Sequence, residues 1–177
     1  MVEKVNIPEI SQKHLHGIKD LTIEDINKIL DLSNFFKLSN KEKDKNYPIL
    51  KGRTIINLFF EPSTRTLISF EIAAKRLGAD VINMNIEGSS LRKGESLHDT
   101  AQTLGAMNPD LVVIRHGLDD ASKKIAEIVS CPVINAGEGI NEHPTQALLD
   151  AYTIVNNKRT LENITVSICG DLEHSRV

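Results

Sequence analysis

From Arg53 onward the chain alternates between short, nearly unbroken hydrophobic runs and longer stretches whose apolar positions recur at helical spacing. The runs TIINLFF, ADVINMN, DLVVIRH and PVINAG predict β-strands, and NITVSICGD predicts a further strand near the end. Between them, RTLISFEIAAKRLG, ESLHDTAQTLGAM, DDASKKIAEIVS and PTQALLDAYTIVNN predict helices, the first of them closed by Gly78. Ahead of this alternation, Ile23, Ile26, Leu30 and Phe35 follow Thr22, a good N-cap, and predict an opening helix over Thr22 to Leu38. SNKEKDKNYPILKG is charged, ends in Pro and Gly, and reads as a solvated loop into the first strand. Continuous apolar strands are buried on both sides, so the pattern predicts an α/β fold: a parallel sheet with helices on both faces.

The last predicted strand opens a new strand–helix unit whose helix the sequence does not include. The expected organisation is therefore one domain over residues 1–150, then, over 151–177, the remainder of an interdomain helix and the first strand of a second α/β domain. The boundary is expected to be carried by the helix over about Pro144 to Asn157, making the sequence the first half of a longer enzyme.

Composition narrows the picture only modestly. A length of 177 residues, 40% of them hydrophobic, suffices for one well-buried core. A formal net charge of -3 recruits neither nucleic acid nor an anionic membrane, so any anion site must be local. Cys131 and Cys169 both lie in apolar segments without metal-ligand spacing, which predicts buried thiols in a reducing compartment. The first twenty residues lack the apolar core of a signal peptide, and no stretch approaches the ~20 apolar residues of a membrane span. A cytoplasmic protein is the expectation.

Unusual polar residues cluster where strands end. In an open parallel sheet ligands collect outside the carboxyl ends of the strands, where the following helices present unpaired N–H groups. After INLFF, Glu61 and Pro62 turn the chain and Ser63, Thr64, Arg65 and Thr66 occupy the start of the next helix, a compact receptor for a phosphate dianion. Taken alone, Ser63 or Thr64 could equally be a simple helix cap with Arg65 on the surface. Arg115 and His116 end a second strand; Gly137 and Gly139 allow a tight loop before His143, Pro144 and Gln146 open another helix. A fourth group, Ser89, Ser90, Arg92 and Lys93, lies on a loop whose plain reading is a solvated basic segment. Singly these signals are weak; together Arg65, Lys93, Arg115, His143 and Gln146 can converge on one small phosphorylated substrate.

No GxxxxGK[ST] or GxGxxG sequence is present, which argues against a nucleoside triphosphate or dinucleotide. The sequence also lacks a metal-ligand cluster and a Ser nucleophile elbow. What remains is a non-covalent transfer with neither metal nor cofactor.

The ordered motifs FFEPSTRT, SSLRKGES, LVVIRH, NAGEGINEHPTQALLD and CGDLEHSRV, from about Leu21 to Val177, resemble those of aspartate carbamoyltransferase catalytic chains. Ornithine carbamoyltransferases share STRT and His-Pro-x-Gln but usually place Lys where Glu61 stands and Gly after the equivalent of Arg115. Glu61 and His116 thus side with the aspartate enzymes. The resemblance implies the fold of the carbamoyl-phosphate-binding domain and transfer of a carbamoyl group from carbamoyl phosphate to the amino group of L-aspartate, in pyrimidine biosynthesis. It implies that Ser63, Thr64, Arg65 and Thr66 hold the phosphate; that Thr66, Arg115 and His143 donate to the carbonyl oxygen; and that Gln146 meets the carbamoyl NH2. Lys93 and Arg176 would serve aspartate, and Ser89, or Ser90 beside it, would reach into a neighbouring subunit's site in a homotrimer. Regulatory chains or a dihydroorotase stand as possible partners, and Glu61 is expected to meet Arg176. The rival readings are an ornithine-type enzyme and, for this fragment, a non-catalytic phosphate-binding and assembly module; the 177-residue segment alone is expected to bind phosphate weakly and to turn over negligibly.

Overall fold

A computed structural model describes residues 5–85, 96–173, 175 and 176. Its elements run α1 (Ile23–Ser39), β1 (Thr54–Phe59), α2 (Thr64–Arg76), β2 (Asp80–Asn85), α3 (Leu97–Ala106), β3 (Leu111–His116), α4 (Ala121–Ala126), β4 (Val133–Glu138) and α5 (Pro144–Lys158). The helix starts follow local chemistry. Thr22 and Asp25 form a reciprocal capping box at α1, and Ser96 and Asp99 form another at α3. At the end of α2, Gly78 takes a φ of 83°, a left-handed conformation that suits glycine.

Four strands form one sheet in the order β2-β1-β3-β4, with every pair parallel. Alternate side chains face opposite layers, as strand geometry requires. On one face Ile56, Leu58, Val112, Ile114 and Val133 pack with Ala101 and Leu104 of α3 and Ala121 and Ile125 of α4. On the other, Ile55, Phe59, Val113 and Ala136 pack with Leu67, Phe70 and Ala74 of α2. Each fully buried Leu, Ile or Val contributes about 1.5–3 kcal/mol relative to exposure, so both layers fix the sheet firmly. The predicted parallel sheet with helices on both faces is what forms. Its strand order reverses direction at β1 and β3, which opens a crevice between their carboxyl ends.

One structural piece has no counterpart in the sequence reading. Leu15 bridges Ile134 in parallel: its N–H donates to Val133 O at 2.9 Å and its carbonyl accepts from Asn135 N at 2.8 Å. His14 Nδ1 accepts from Val133 N at 3.2 Å. This short segment covers the outer edge of β4, which would otherwise present unpaired backbone groups.

Three expectations are corrected. The stretch NITVSICGD forms no strand: residues 164–169 have no regular structure, and Val166 and Ile168 are exposed. A strand exists only through hydrogen bonds to a neighbouring strand, and no described strand pairs with this one. For the same reason Cys169 is exposed, whereas Cys131 is buried as expected. Finally, α4 is shorter than DDASKKIAEIVS, because Asp120 adopts a left-handed φ of 57° and the chain turns out of the helix after Ala126. Helix α5 runs unbroken across the expected boundary at residue 150. No helix among the described residues is long and apolar enough to cross a membrane.

Candidate active site

Three of the four strands deliver side chains to the crevice. Beyond β1, Ser63 precedes α2; β3 ends in Arg115; and after β4 a loop leads to His143 and the first turn of α5. Phe60 N donates to Arg115 O at 2.8 Å, which locks the ends of β1 and β3 together. Ser63, Arg65, Thr66, Arg115, His143 and Gln146 line a single cavity of about 530 Å³, together with Thr145. These are six of the residues singled out from sequence, and they come from segments far apart in the chain.

Ser63 stands at the N-cap of α2, yet its side chain makes no cap hydrogen bond, and the first turn of the helix carries no acidic residue. Its hydroxyl instead donates to Thr66 Oγ1 at 2.9 Å. The simple capping role is thus absent, and the positive end of α2 stays uncompensated. Arg65 is exposed and has no ion-pair partner among the described residues. Thr64 begins α2 as an exposed residue and does not line the cavity beside Ser63 and Thr66.

Arg115 is held from two sides. Its Nη1 donates to Ala136 O at 2.9 Å, and its Nε lies 3.8 Å from Glu61 Oε2. That Nε is buried without a hydrogen-bond partner among the described residues, an orphan donor that costs free energy until an acceptor arrives. The guanidinium fits because residue 137 is glycine: a Cβ there would stand 2.5 Å from Arg115 Nη1 and 3.2 Å from His143 Cδ2. Gly137 also has a φ of 111°, which other residues rarely adopt.

His143 is neutral at physiological pH. Burial, then the charges of Arg115 and Arg176, push its imidazole down from 6.5 to about 4. Its Nδ1 lies 3.3 Å from Thr145 Oγ1, and its backbone N–H donates to Arg176 O at 2.8 Å. Gln146 Nε2 donates to Asp150 Oδ1 at 3.0 Å. His116, by contrast, is occupied elsewhere: its Nδ1 accepts from Leu118 N at 2.9 Å, and its ring packs on Phe60.

Arg176 lines a neighbouring cavity of about 750 Å³, which shares His143 with the smaller one. The lining of the larger cavity mixes Asp20, Asp120, Glu138 and Glu142 with Lys19, Lys123 and Arg176. Arg176 meets Glu61 as the sequence suggested, Nη1 to Oε2 at 3.0 Å and Nη2 to Oε1 at 3.3 Å. Lys93, Ser89, Ser90 and Arg92 lie outside the described residues. Two site residues, Thr145 and Asp150, escaped the sequence reading. The signal available for Asp150 was its spacing of four from Gln146, which sets the two on one helix face.

A family model described as "Aspartate/ornithine carbamoyltransferase, carbamoyl-P binding domain" matches residues 13–156. The chain belongs to this family. It is 56% identical over its whole length to the aspartate carbamoyltransferase catalytic subunit of Pelagibacter ubique, covering 57% of that protein. The same-named subunit of Bartonella bacilliformis is 54% identical, again over the whole chain and 55% of its own length. Among solved structures, Trypanosoma cruzi aspartate transcarbamoylase in complex with carbamoyl aspartate and phosphate superposes with a TM-score of 0.88 at 36% identity, over 99% of this chain and 54% of that one. The same enzyme in complex with carbamoyl phosphate and aspartate gives 0.86 at 36% identity, over 97% and 57%. The chain therefore spans little more than half the length of these carbamoyltransferase relatives.

Proposed function

We propose that the protein transfers the carbamoyl group of carbamoyl phosphate to the amino group of L-aspartate, yielding N-carbamoyl-L-aspartate and phosphate for pyrimidine biosynthesis. The observation that carries this reading is the convergence of Arg65, Arg115, Ser63, Thr66, His143 and Gln146 on one cavity at the switch point of the sheet. The names of the similar proteins support it, as does Glu61, the residue type expected in aspartate rather than ornithine enzymes.

In this reading Arg65, with Ser63, Thr66 and the N–H groups opening α2, holds the phosphate. The aspartate nitrogen attacks the carbamoyl carbon, the bond from that carbon to the bridging oxygen breaks, and phosphate leaves with the bonding electrons and takes up the proton that the amine gives away. Negative charge grows on the carbonyl oxygen and on the leaving group. Fixed donors from Arg115, Thr66 and the neutral His143 strengthen as that charge grows, which lowers the barrier without a covalent intermediate. Holding both substrates in place removes the entropy of encounter. With its low proton affinity His143 acts as a hydrogen-bond donor, and little of it is protonated at neutral pH.

The reading extends beyond this cavity. Lys93 and Ser89 belong to a loop that completes a neighbouring subunit's site in a homotrimer, and Arg176 serves the aspartate carboxylates. Residues 1–150 form the carbamoyl-phosphate domain, with residues 151–177 leading into an aspartate domain of a cytoplasmic enzyme. Calorimetry with carbamoyl phosphate, followed by turnover with L-aspartate and L-ornithine offered separately, tests the proposal. Binding with carbamoyl-aspartate formation supports it; citrulline formation would assign the ornithine reaction instead.

A further inference from the structure

The Gln146 side chain poses a question that its place in the cavity does not answer: an amide has a donor end and an acceptor end, and only one can face the ligand. Here Nε2 donates to Asp150 Oδ1 at 3.0 Å, one helical turn along α5, and Oε1 has no hydrogen-bond partner among the described residues. A carboxylate only accepts. Were the amide reversed, Oε1 would face Asp150 with no proton between them, a mismatch that disfavours the reversed rotamer by about tenfold or more. The other polar side chains of the cavity are donors or can donate: Arg65, Arg115, His143 and the hydroxyls of Ser63, Thr66, Ser69 and Thr145, that of Ser69 donating to Arg65 O at 2.7 Å. Gln146 Oε1 is thus the cavity-lining side-chain group restricted to accepting.

We propose that Asp150 is a positioning residue that fixes the Gln146 amide with its oxygen toward the ligand, so that the site selects an N–H-bearing carbamoyl group over a methyl-bearing acyl group. This rests on the carbamoyl phosphate reading of the same cavity. Acetyl phosphate is the discriminating probe, because it keeps the phosphate and carbonyl of carbamoyl phosphate and replaces NH2 with CH3. A methyl group placed against Oε1 leaves a desolvated acceptor unpaired, and sites built around a hydrogen bond reject such analogues strongly. A merely helix-stabilising pair at this spacing would have no influence on that choice.

The test compares carbamoyl phosphate, acetyl phosphate and inorganic phosphate by calorimetry on the intact protein and on the Asp150→Ala and Asp150→Asn variants. In Asp150→Ala the preference for carbamoyl over acetyl phosphate falls by about tenfold, while affinity for inorganic phosphate stays within about twofold. Asp150→Asn keeps the shape of the side chain and one accepting oxygen but permits both amide orientations, so its preference falls between the other two. An unchanged preference in either folded variant, or an equal loss for all three ligands, overturns the role of Asp150 and leaves the phosphate site standing. A wild-type protein that binds none of the three overturns both.

Discussion

Glu61 lies between two guanidinium groups: it pairs with Arg176 at 3.0 Å and stands 3.8 Å from Arg115 Nε. A single carboxylate thus links the end of β1 both to the arginine of the cavity and to one near the end of the chain. Because the pair is only partly buried, its coupling is modest. A double-mutant cycle on Glu61→Ala and Arg176→Ala, read as kcat/KM, should give a coupling of about 1 kcal/mol that shrinks as salt is raised. Additive effects would show that the contact has no bearing on the reaction.

Arg65 reaches the cavity without an ion-pair partner among the described residues, so its charge is available to the ligand. Replacing it with Ala should weaken carbamoyl phosphate binding by at least about 100-fold, as expected for a charge-assisted contact to phosphate, and leave thermal stability nearly unchanged. Near-normal binding by calorimetry would remove Arg65 from the phosphate site.

Gly137→Ala introduces two penalties at once, a strained φ of 111° and a Cβ 2.5 Å from Arg115 Nη1. The variant should lose about 1–3 kcal/mol in urea unfolding and show a marked fall in activity. Gly52→Ala is the matched control: its φ is 80°, but a Cβ there meets nothing within 4 Å. It should lose stability and keep its activity. Equal activity losses in the two variants would contradict the contact with Arg115.

For His143 the pH dependence has a definite sign. Its folded value, about 4, lies below the ordinary 6.5, so as pH drops below 6.5 the unfolded chain takes up a proton that the folded chain refuses. The contribution of the neutral ring to stability is complete above 6.5 and is lost as pH falls toward about 4. His143→Gln should therefore lose less stability than wild type over that interval, measured by denaturation midpoint. An NMR titration should find the His143 ring unprotonated from about pH 8 down to about 5.5. A midpoint near the ordinary value would show the ring to be solvated.

The sheet and most of the cavity were legible because their signals are local. Runs such as LVVI can be satisfied only between two apolar layers, and STRT, though readable alone as a plain helix cap, gains weight from the other polar residues placed at strand ends. What stayed hidden depends on distance or on a missing neighbour. The pairing of Leu15 with β4 involves a single bridge between residues far apart in sequence, so no periodicity marks it. Val166 and Ile168 have strand-like composition, but composition does not supply the adjacent strand that hydrogen bonding needs. The hydroxyl of Ser63 looked like a cap until its bond to Thr66 showed it turned to another use. Thr64 looked equivalent to its neighbours, yet it does not line the cavity beside Ser63 and Thr66.

The parallel arrangement divides the sheet into two ends under different demands. At the amino ends of the strands, Arg53 and Asp110 pair at 2.6 Å, and Asp110 also accepts from Thr54 N at 2.8 Å; none of the cavity residues comes from there. Connections at that rim need only close the chain. Length changes, tags or labels placed near Asn108 or Ser130 are therefore the alterations this architecture absorbs most readily, whereas a single inserted residue between Phe59 and Thr66 would rotate Ser63, Arg65 and Thr66 out of alignment with the cavity.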